Sequence, residues 1–431
     1  MSHPTIFALA SGAGRAAVAI LRISGPDTSQ LLESLAGHLP DPRRASLRRL
    51  RDASGEALDQ ALVLWFPAPA SYTGEDAAEL HLHGGPAVIA GVAQALTALG
   101  ARPAEPGEFT RRAFLHGRLD LTEAEGVADL IAAETGEQRR QALAQAGGAL
   151  ARRNADWAAR CATLLAHQEA AIEFAEDDLP NDLSDRARDG ARVLADTLRA
   201  ELAKAHRGER LREGLVIAIL GAPNAGKSSL LNALVERDVA IVSPIPGTTR
   251  DIIEVRLDLA GIPTILCDTA GLREAGDLIE AEGIRRALAR AESADLRLAL
   301  FASDVPPDAS TLALLGPNTI VVATKSDLAL TSLSDALPLS AHTGQGIATL
   351  LDLLAKATAA RAGNDGVLTR PRHRAALTDA EHWLSEAANA HHPELAAEAL
   401  RAAIRAFGRL SGRISVEDIL DIVFKAFCIG K

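Results

Sequence analysis

The stretch "LVIAILGAPNAGKSSLLNALV" at 215–235 constrains the chain more than any other. An apolar run, a glycine-bracketed turn and a second apolar run follow one another within it. An unbroken apolar segment of that length, bounded by turn residues, reads as a strand buried on both faces, which demands a parallel sheet covered by helices. The turn fits G-x-x-x-x-G-K-S with Gly221, Gly226, Lys227 and Ser228. Glycines at those places let backbone N–H groups turn inward around an anion, and the helix that follows adds the positive end of its dipole. In this strand, loop and helix setting the motif is a phosphate cradle formed by Asn224, Ala225, Gly226, Lys227, Ser228 and Ser229. Lys227 can reach the β- and γ-phosphates, and the Ser228 hydroxyl can ligate magnesium.

Four later segments, in a fixed order, narrow the ligand to GTP with Mg²⁺. "PGTTRD" (246–251), with Ser243, Pro244 and Ile245 just before it in the GTP-binding set, supplies Pro246, Gly247 and Thr248, and then Thr249, which a mobile loop could bring to the metal and the γ-phosphate. "TILCDTAG" (264–271) ends a strand with Asp268, placed to hold the metal's water shell, followed by Thr269, Ala270 and Gly271, whose N–H can meet the γ-phosphate. "IVVATKSD" (320–327) ends another with Thr324, Lys325 and Asp327. An aspartate accepts both the N1–H and the 2-amino hydrogens of guanine, a pair that adenine lacks. "LSAHTG" (339–344) offers Ser340, Ala341 and His342 as a loop against the base. Two departures stand out. Thr324 occupies the place of the asparagine usual in Asn-Lys-x-Asp, and Leu272 stands where Ras-like GTPases carry a water-orienting glutamine. Another group must orient the water, and Glu274, Asp277, Glu280 and Glu282 are the nearby carboxylates.

At 431 residues the chain is expected to form several domains. Few aromatics and abundant alanine favour helix-rich packing. The fold class expected is multidomain α/β: an N-terminal α+β unit at 1–118, a helical region at 119–213, an inserted Ras-like P-loop α/β domain at 214–362, and a second helical part at 363–431. In the first unit "VAILRIS" (18–24), "ALVLWFPAP" (61–69) and "AAELHLHGG" (77–85) read as strands and 86–100 as a helix. Thr122 with Glu125, and Thr135 with Gln138, read as helix-opening capping boxes. The net charge of −11 argues against a chain that wraps nucleic acid unaided. Three scattered cysteines, Cys161, Cys267 and Cys428, suit neither a disulfide framework nor a structural zinc site and point to a reducing compartment. With no signal peptide and no apolar run long enough to span a bilayer, a cytoplasmic protein without stable membrane insertion is expected. The tail "SVEDILDIVFKAFCIGK" reads as a capped amphipathic helix closed by Gly430, with Cys428 just beyond its apolar face.

Taken together, "AVAILRISG" (17–25), "SYTGEDAAELHLHGGP" (71–86), "RPAEPGEFTRRAFLHGRLDLTEAEGVADLI" (102–131), the nucleotide motifs and the terminal "CIGK" resemble the MnmE (TrmE) family of tRNA modification GTPases across nearly the whole chain. The resemblance implies an N-terminal domain that binds folate and dimerises, a helical domain, and a G domain inserted into it. It implies GTP hydrolysis that depends on K⁺, with Asn224 as a potassium ligand helped by backbone oxygens near Ser243, Ile245 and Thr248, and Glu280 orienting the water once two G domains meet. Arg22, Glu79 and Arg118 resemble the folate-contacting residues, with arginine at 118 where lysine is common, and Lys431 joins them from the tail. The same likeness implies that Cys428 acts in one-carbon transfer from 5,10-methylene- or 5-formyl-tetrahydrofolate. The task implied is addition of a (carboxymethyl)aminomethyl group to the wobble uridine of certain tRNAs, by a homodimer joined in a heterotetramer or larger complex with the flavoprotein MnmG (GidA), which carries FAD. The competing reading, a regulatory GTP switch of ribosome assembly, would call for a basic RNA-binding appendage, and the sequence holds no basic block of that kind.

Overall fold

The computed structural model describes residues 4–173, 183–237, 239–241, 254–268, 294–329, 333, 335–363, 366–413 and 430. The chain divides into two units, one of Met1–Ala128, Ala151–Ala155 and Arg405–Lys431, the other of Asp129–Leu150 and Asp156–Ile404.

The first unit is built on a six-stranded sheet, ordered β3 (Ser46–Arg51), β4 (Ala57–Phe66), β5 (Ala77–Gly84), β2 (Ala16–Ser24), β1 (Ile6–Leu9), β6 (Arg102–Pro103). All neighbours are antiparallel except β1 and β6. Alternation along β2 and β5 sends Leu21, Ile23, Leu80 and Leu82 into a core shared with α1 (Thr28–Ala36) and α2 (Pro86–Ala98). The other face carries Arg22 and Glu79, which lie opposite each other in the β2–β5 register. There α3 (Glu108–Leu115) sets Phe109 against Ile6 and Ala8. The strand expected over 61–69 ends at Phe66, because Pro67 and Pro69 cannot donate to a ladder.

The opening of α4 (Leu121–Ala132) corrects one sequence expectation. Asp120, not Thr122, caps it: Glu123 N–H donates to Asp120 Oδ1 at 2.8 Å and Asp120 N–H donates to Glu123 Oε2 at 2.7 Å, while the Thr122 hydroxyl donates to Asp120 Oδ1. Two carboxylates close the reciprocal box two residues earlier, and Leu121 and Ala124 reach the core from that frame. The box at Thr135 and Gln138 forms as expected at the head of α5 (Gly136–Ala146).

After α6 (Ala149–Glu173), the 31-residue α7 (Leu183–Glu213) leads into the second sheet. Its order is β12 (Leu337–Pro338), β11 (Thr319–Thr324), β10 (Leu296–Ala302), β7 (Leu215–Leu220), β9 (Ile262–Asp268), β8 (Glu254–Leu259). Every pairing is parallel except the β8–β9 hairpin. The apolar run that opens the motif is β7, at the centre of this sheet, and α8 (Lys227–Val235) follows the glycine turn. Short α9 (Ala309–Leu312) and α10 (Ile347–Ala359) complete the α/β layer, with Leu350 and Leu354 in its core. The chain then returns to α7: a Cβ on Gly208 would lie 2.3 Å from the Leu368 carbonyl oxygen, so only glycine admits the crossing. Helix α11 (Pro371–Asn389) packs along α7, tied by Arg374 to Glu209 at 3.0 Å, and α12 (Pro393–Ser411) follows. Among the described residues no helix is long and apolar enough to cross a membrane.

Candidate functional site

The glycine turn leaves the C-terminal end of β7 where the strand order reverses between β10 and β9, the place at which open α/β sheets hold ligands. Gly221 and Gly226 have φ of +152° and +86°. A Cβ at Gly221 would meet Leu300 O at 2.7 Å, so a side chain there would push the loop off the sheet. Asn224 has φ of +64° and an exposed side chain at the crown of the loop. Lys227 is buried, and its ammonium donates to Gly221 O and Ala222 O at 2.7 and 2.8 Å, which holds a positive charge inside the cradle. Ser228 sits at the exposed first turn of α8. Asp268 is buried at the end of β9, opposite Ile219 of β7, two residues before the loop begins. A hydroxyl and a carboxylate flanking a phosphate cradle are the donor set a hard divalent cation takes, so the residues fit Mg²⁺.

The base-binding loops are knitted to this frame. Ser326 N–H donates to Leu339 O at 3.1 Å and Leu339 N–H to Ala323 O at 2.8 Å, which aligns the Thr324–Asp327 segment with Ser340, Ala341 and His342. The Ser340 hydroxyl, the aspartate's own backbone N–H and the nearby His342 hold the exposed Asp327 carboxyl below the ordinary carboxylate range. It is an anion ready to accept two N–H groups of a base. Thr324 departs from the usual asparagine without losing its structural duty, because its hydroxyl donates to Ala225 O of the phosphate loop at 2.7 Å. Lys325, at φ +56°, pairs with Asp304 at 2.9 Å.

A second candidate site lies in the first unit. Arg22, Glu79 and Arg118 line one cavity of about 290 Å³, with Tyr72, Phe66 and Arg43 among its other walls. Arg22 donates to Glu79 Oε1 from Nε and Nη2 at 3.1 and 2.8 Å, and its guanidinium lies over the Tyr72 ring at 5.5 Å. His81 Nε2 stands 3.5 Å from the other Glu79 oxygen. Tyr72 is half-buried; that burial raises its phenol, and its hydroxyl bonds Thr110 at 2.9 Å. Gly74, at φ +80°, lets the stem of Arg118 approach the loop. Arg43 and Tyr72 were not singled out by sequence reasoning. Tyr72 is the chain's one tyrosine, a usable signal, whereas Arg43 follows Pro40 and Pro42 in a short basic loop that resembles any solvated turn.

Ser243, Pro244, Ile245, Pro246, Gly247, Thr248, Thr249, Thr269, Ala270, Gly271, Glu280, Cys428 and Lys431 lie outside the described residues. Gly430 is described. It is buried at φ +101°, and a Cβ there would meet Leu9 O at 2.2 Å. Gly430 therefore seats against the end of β1, at Leu9, one residue past Ala8, which pairs with Arg22.

A phosphate loop at the switch point of a mostly parallel sheet, with an acidic base-binding loop beside it, defines a P-loop GTP-binding protein. Residues 121–428 match the profile "MnmE helical domain" and residues 5–118 the profile "GTP-binding protein TrmE N-terminus". The chain is 56% identical over 435 residues to a tRNA modification GTPase MnmE of Gluconacetobacter diazotrophicus, covering 99% of this chain and 98% of that one. It is 55% identical over 441 residues, and over the full length of both, to that of Granulibacter bethesdensis. A solved G domain of the T. maritima FeoB iron transporter aligns with 33% of this chain and 98% of its own at 26% identity and a TM-score of 0.26. The chain belongs to the MnmE family of tRNA modification GTPases.

Proposed function

We propose that this GTPase works in tRNA modification as a K⁺-dependent enzyme that uses a one-carbon tetrahydrofolate, with MnmG as its flavoprotein partner and the wobble uridine of certain tRNAs as the target. The observation that carries the folate reading is the convergence of Arg22, Glu79 and Arg118 on one cavity, from segments far apart in sequence. Its chemistry fits the ligand class: a carboxylate for the N–H donors of a pterin, guanidiniums for tail carboxylates, and aromatic walls for rings. Gly430 against Leu9 supports a tail that presents Cys428 and Lys431 to this region, where a thiolate can act as nucleophile or proton carrier. In the nucleotide site Lys227 would neutralise phosphate charge, Ser228 and Thr249 would ligate Mg²⁺ with Asp268 holding its water shell, and Asp327 would read guanine. Asn224, exposed in the phosphate loop, would ligate K⁺, whose charge would do there what an arginine finger does in other GTPases. Glu280 orients the water when two G domains meet.

The homodimer rests on a further observation. On the open sheet face Leu47 pairs with Leu62 and Leu62 with His81, with Val18 on the next row, and these three apolar side chains are exposed by 56, 43 and 54%. Leu47 and Leu62 form an exposed apolar pair, with His81 and His83 between them and Val18, and this face suits a second copy of the chain. Sedimentation should show a dimer, and Leu62→Asp should shift it to monomer; an unchanged dimer removes this face from the interface. The whole reading is tested by nucleoside analysis of tRNA from cells lacking the gene, complemented with wild type or Glu79→Ala. Loss of the wobble modification that wild type restores and Glu79→Ala does not is expected. Full modification without the gene overturns the reading.

A further inference from the structure

The cavity of the first unit holds more positive charge than the described residues neutralise there. Arg22 is matched by Glu79 at 2.8 Å. Among the described residues neither Arg43 nor Arg118 meets a carboxylate. The Arg43 guanidinium bonds the Ala70 carbonyl and lies over the Phe66 ring at 5.7 Å, leaving most of its five donors for a ligand. Two guanidiniums without a carboxylate among the described residues, on one cavity of about 290 Å³, call for an occupant with at least two negative charges.

Arg43 is also held in place. Its N–H donates to Trp65 O at 2.8 Å, anchoring the loop between α1 and β3 to the strand that carries Phe66. Its φ of +60° lies in the left-handed region, which is unfavourable for a residue with a side chain. An exposed turn could relieve that cost with a glycine, yet an arginine stands here and its side chain walls the cavity. Phe66 lies one row along the same sheet face from Glu79, since Phe66 pairs with Ala77 and Leu64 with Glu79. The cavity thus runs from an acidic end at Glu79 to a cationic, aromatic shelf at Phe66 and Arg43.

We propose that Arg43, stacked on Phe66, is a specificity-determining residue that grips a tail carboxylate of the bound folate. The proposal rests on the folate reading above. It gives the cavity two roles: the Glu79 end selects the ring, and Arg43 together with Arg118 selects the charged tail.

The test is calorimetry on the full-length protein with 5-formyltetrahydrofolate and with its tail dimethyl ester, which keeps the rings and spacer and removes both charges. Wild type should favour the acid. In Arg43→Ala that preference should shrink about tenfold, the worth of one charge-assisted hydrogen bond, with affinity for the ester unchanged. Arg43→Lys should recover part of it, because the charge returns without the planar fork. Melting curves confirm that each variant folds. An acid-to-ester ratio equal in wild type and Arg43→Ala, or an equal loss for both ligands, overturns the role of Arg43 and leaves the folate reading standing. Wild type that binds neither compound overturns both.

Discussion

Thr324 shows how one hydroxyl can take over part of an amide's work. Its bond to Ala225 O joins residues 99 apart and clamps the phosphate loop to the base loop, and it is buried at 3% exposure. Thr324→Val keeps the shape and removes the donor, leaving a buried carbonyl unsatisfied at about 1–3 kcal/mol. A lower melting temperature and weaker binding of both GTP and GDP are expected, read by thermal denaturation and nucleotide titration. Asp327 makes a separate prediction about selectivity. Asp327→Asn replaces an acceptor-only group with one that also donates, so guanine should lose about 10- to 100-fold in affinity, while xanthosine triphosphate gains relative to GTP in a competition assay. Glu108 supplies the pH dependence. Burial would raise its carboxyl, but hydrogen bonds from Arg102, the Glu105 N–H and Arg112 outweigh burial and hold it below the usual range. The stability it contributes is therefore full above the unfolded value of about 4.3 and is lost as pH falls through the lower folded value. Acid unfolding of wild type should steepen below pH about 4.3, and Glu108→Gln should flatten that dependence in tryptophan-monitored melts.

At the scale of elements, α7 is decided by two different forces. Its repeating apolar positions make a helix, with Leu194, Leu198 and Leu211 buried. Gly208 answers to packing, because Leu368 O occupies the space of a side chain and Gln141 Nε2 donates to Gly208 O at 3.1 Å. Alanine would gain about 1 kcal/mol of helix propensity but collide with backbone on a neighbouring segment, at a cost of about 1–3 kcal/mol or more. The collision wins, so Gly208→Ala should lower the midpoint of urea unfolding, although helix propensity alone forecasts the reverse. The same distinction explains which elements were legible in the sequence. Strand β7, helix α8 and the Thr135 box carry their signals within a few residues and formed where expected. The cap of α4 was misplaced by two residues because Asp120 and Thr122 both offer an oxygen at a plausible spacing. What separates them is which frame buries Leu121 and Ala124, and the core decides that.

At the scale of the molecule, the α/β layer leaves and rejoins the helical part at one place. Gly214 follows the end of α7, Gly363 N–H donates to Arg207 O at 3.3 Å, and a Cβ on Gly366 would lie 3.1 Å from Lys204 O. Ends this close let a short linker replace 215–362. The excised protein should keep a cooperative, helix-rich melt by circular dichroism and lose GTP binding; an unfolded product would show that the G domain is part of the helical core. The sequence by itself determined the phosphate cradle, the aspartate proposed to read guanine and the large periodic elements, since their chemistry depends on neighbours within a turn or a strand. Tertiary structure alone decided that Arg43 joins Arg22, Glu79 and Arg118 around one cavity, that Thr324 holds the phosphate loop, and that Gly430 seats against Leu9. Those contacts depend on strand register and close backbone approach between distant segments, and no local spacing encodes either.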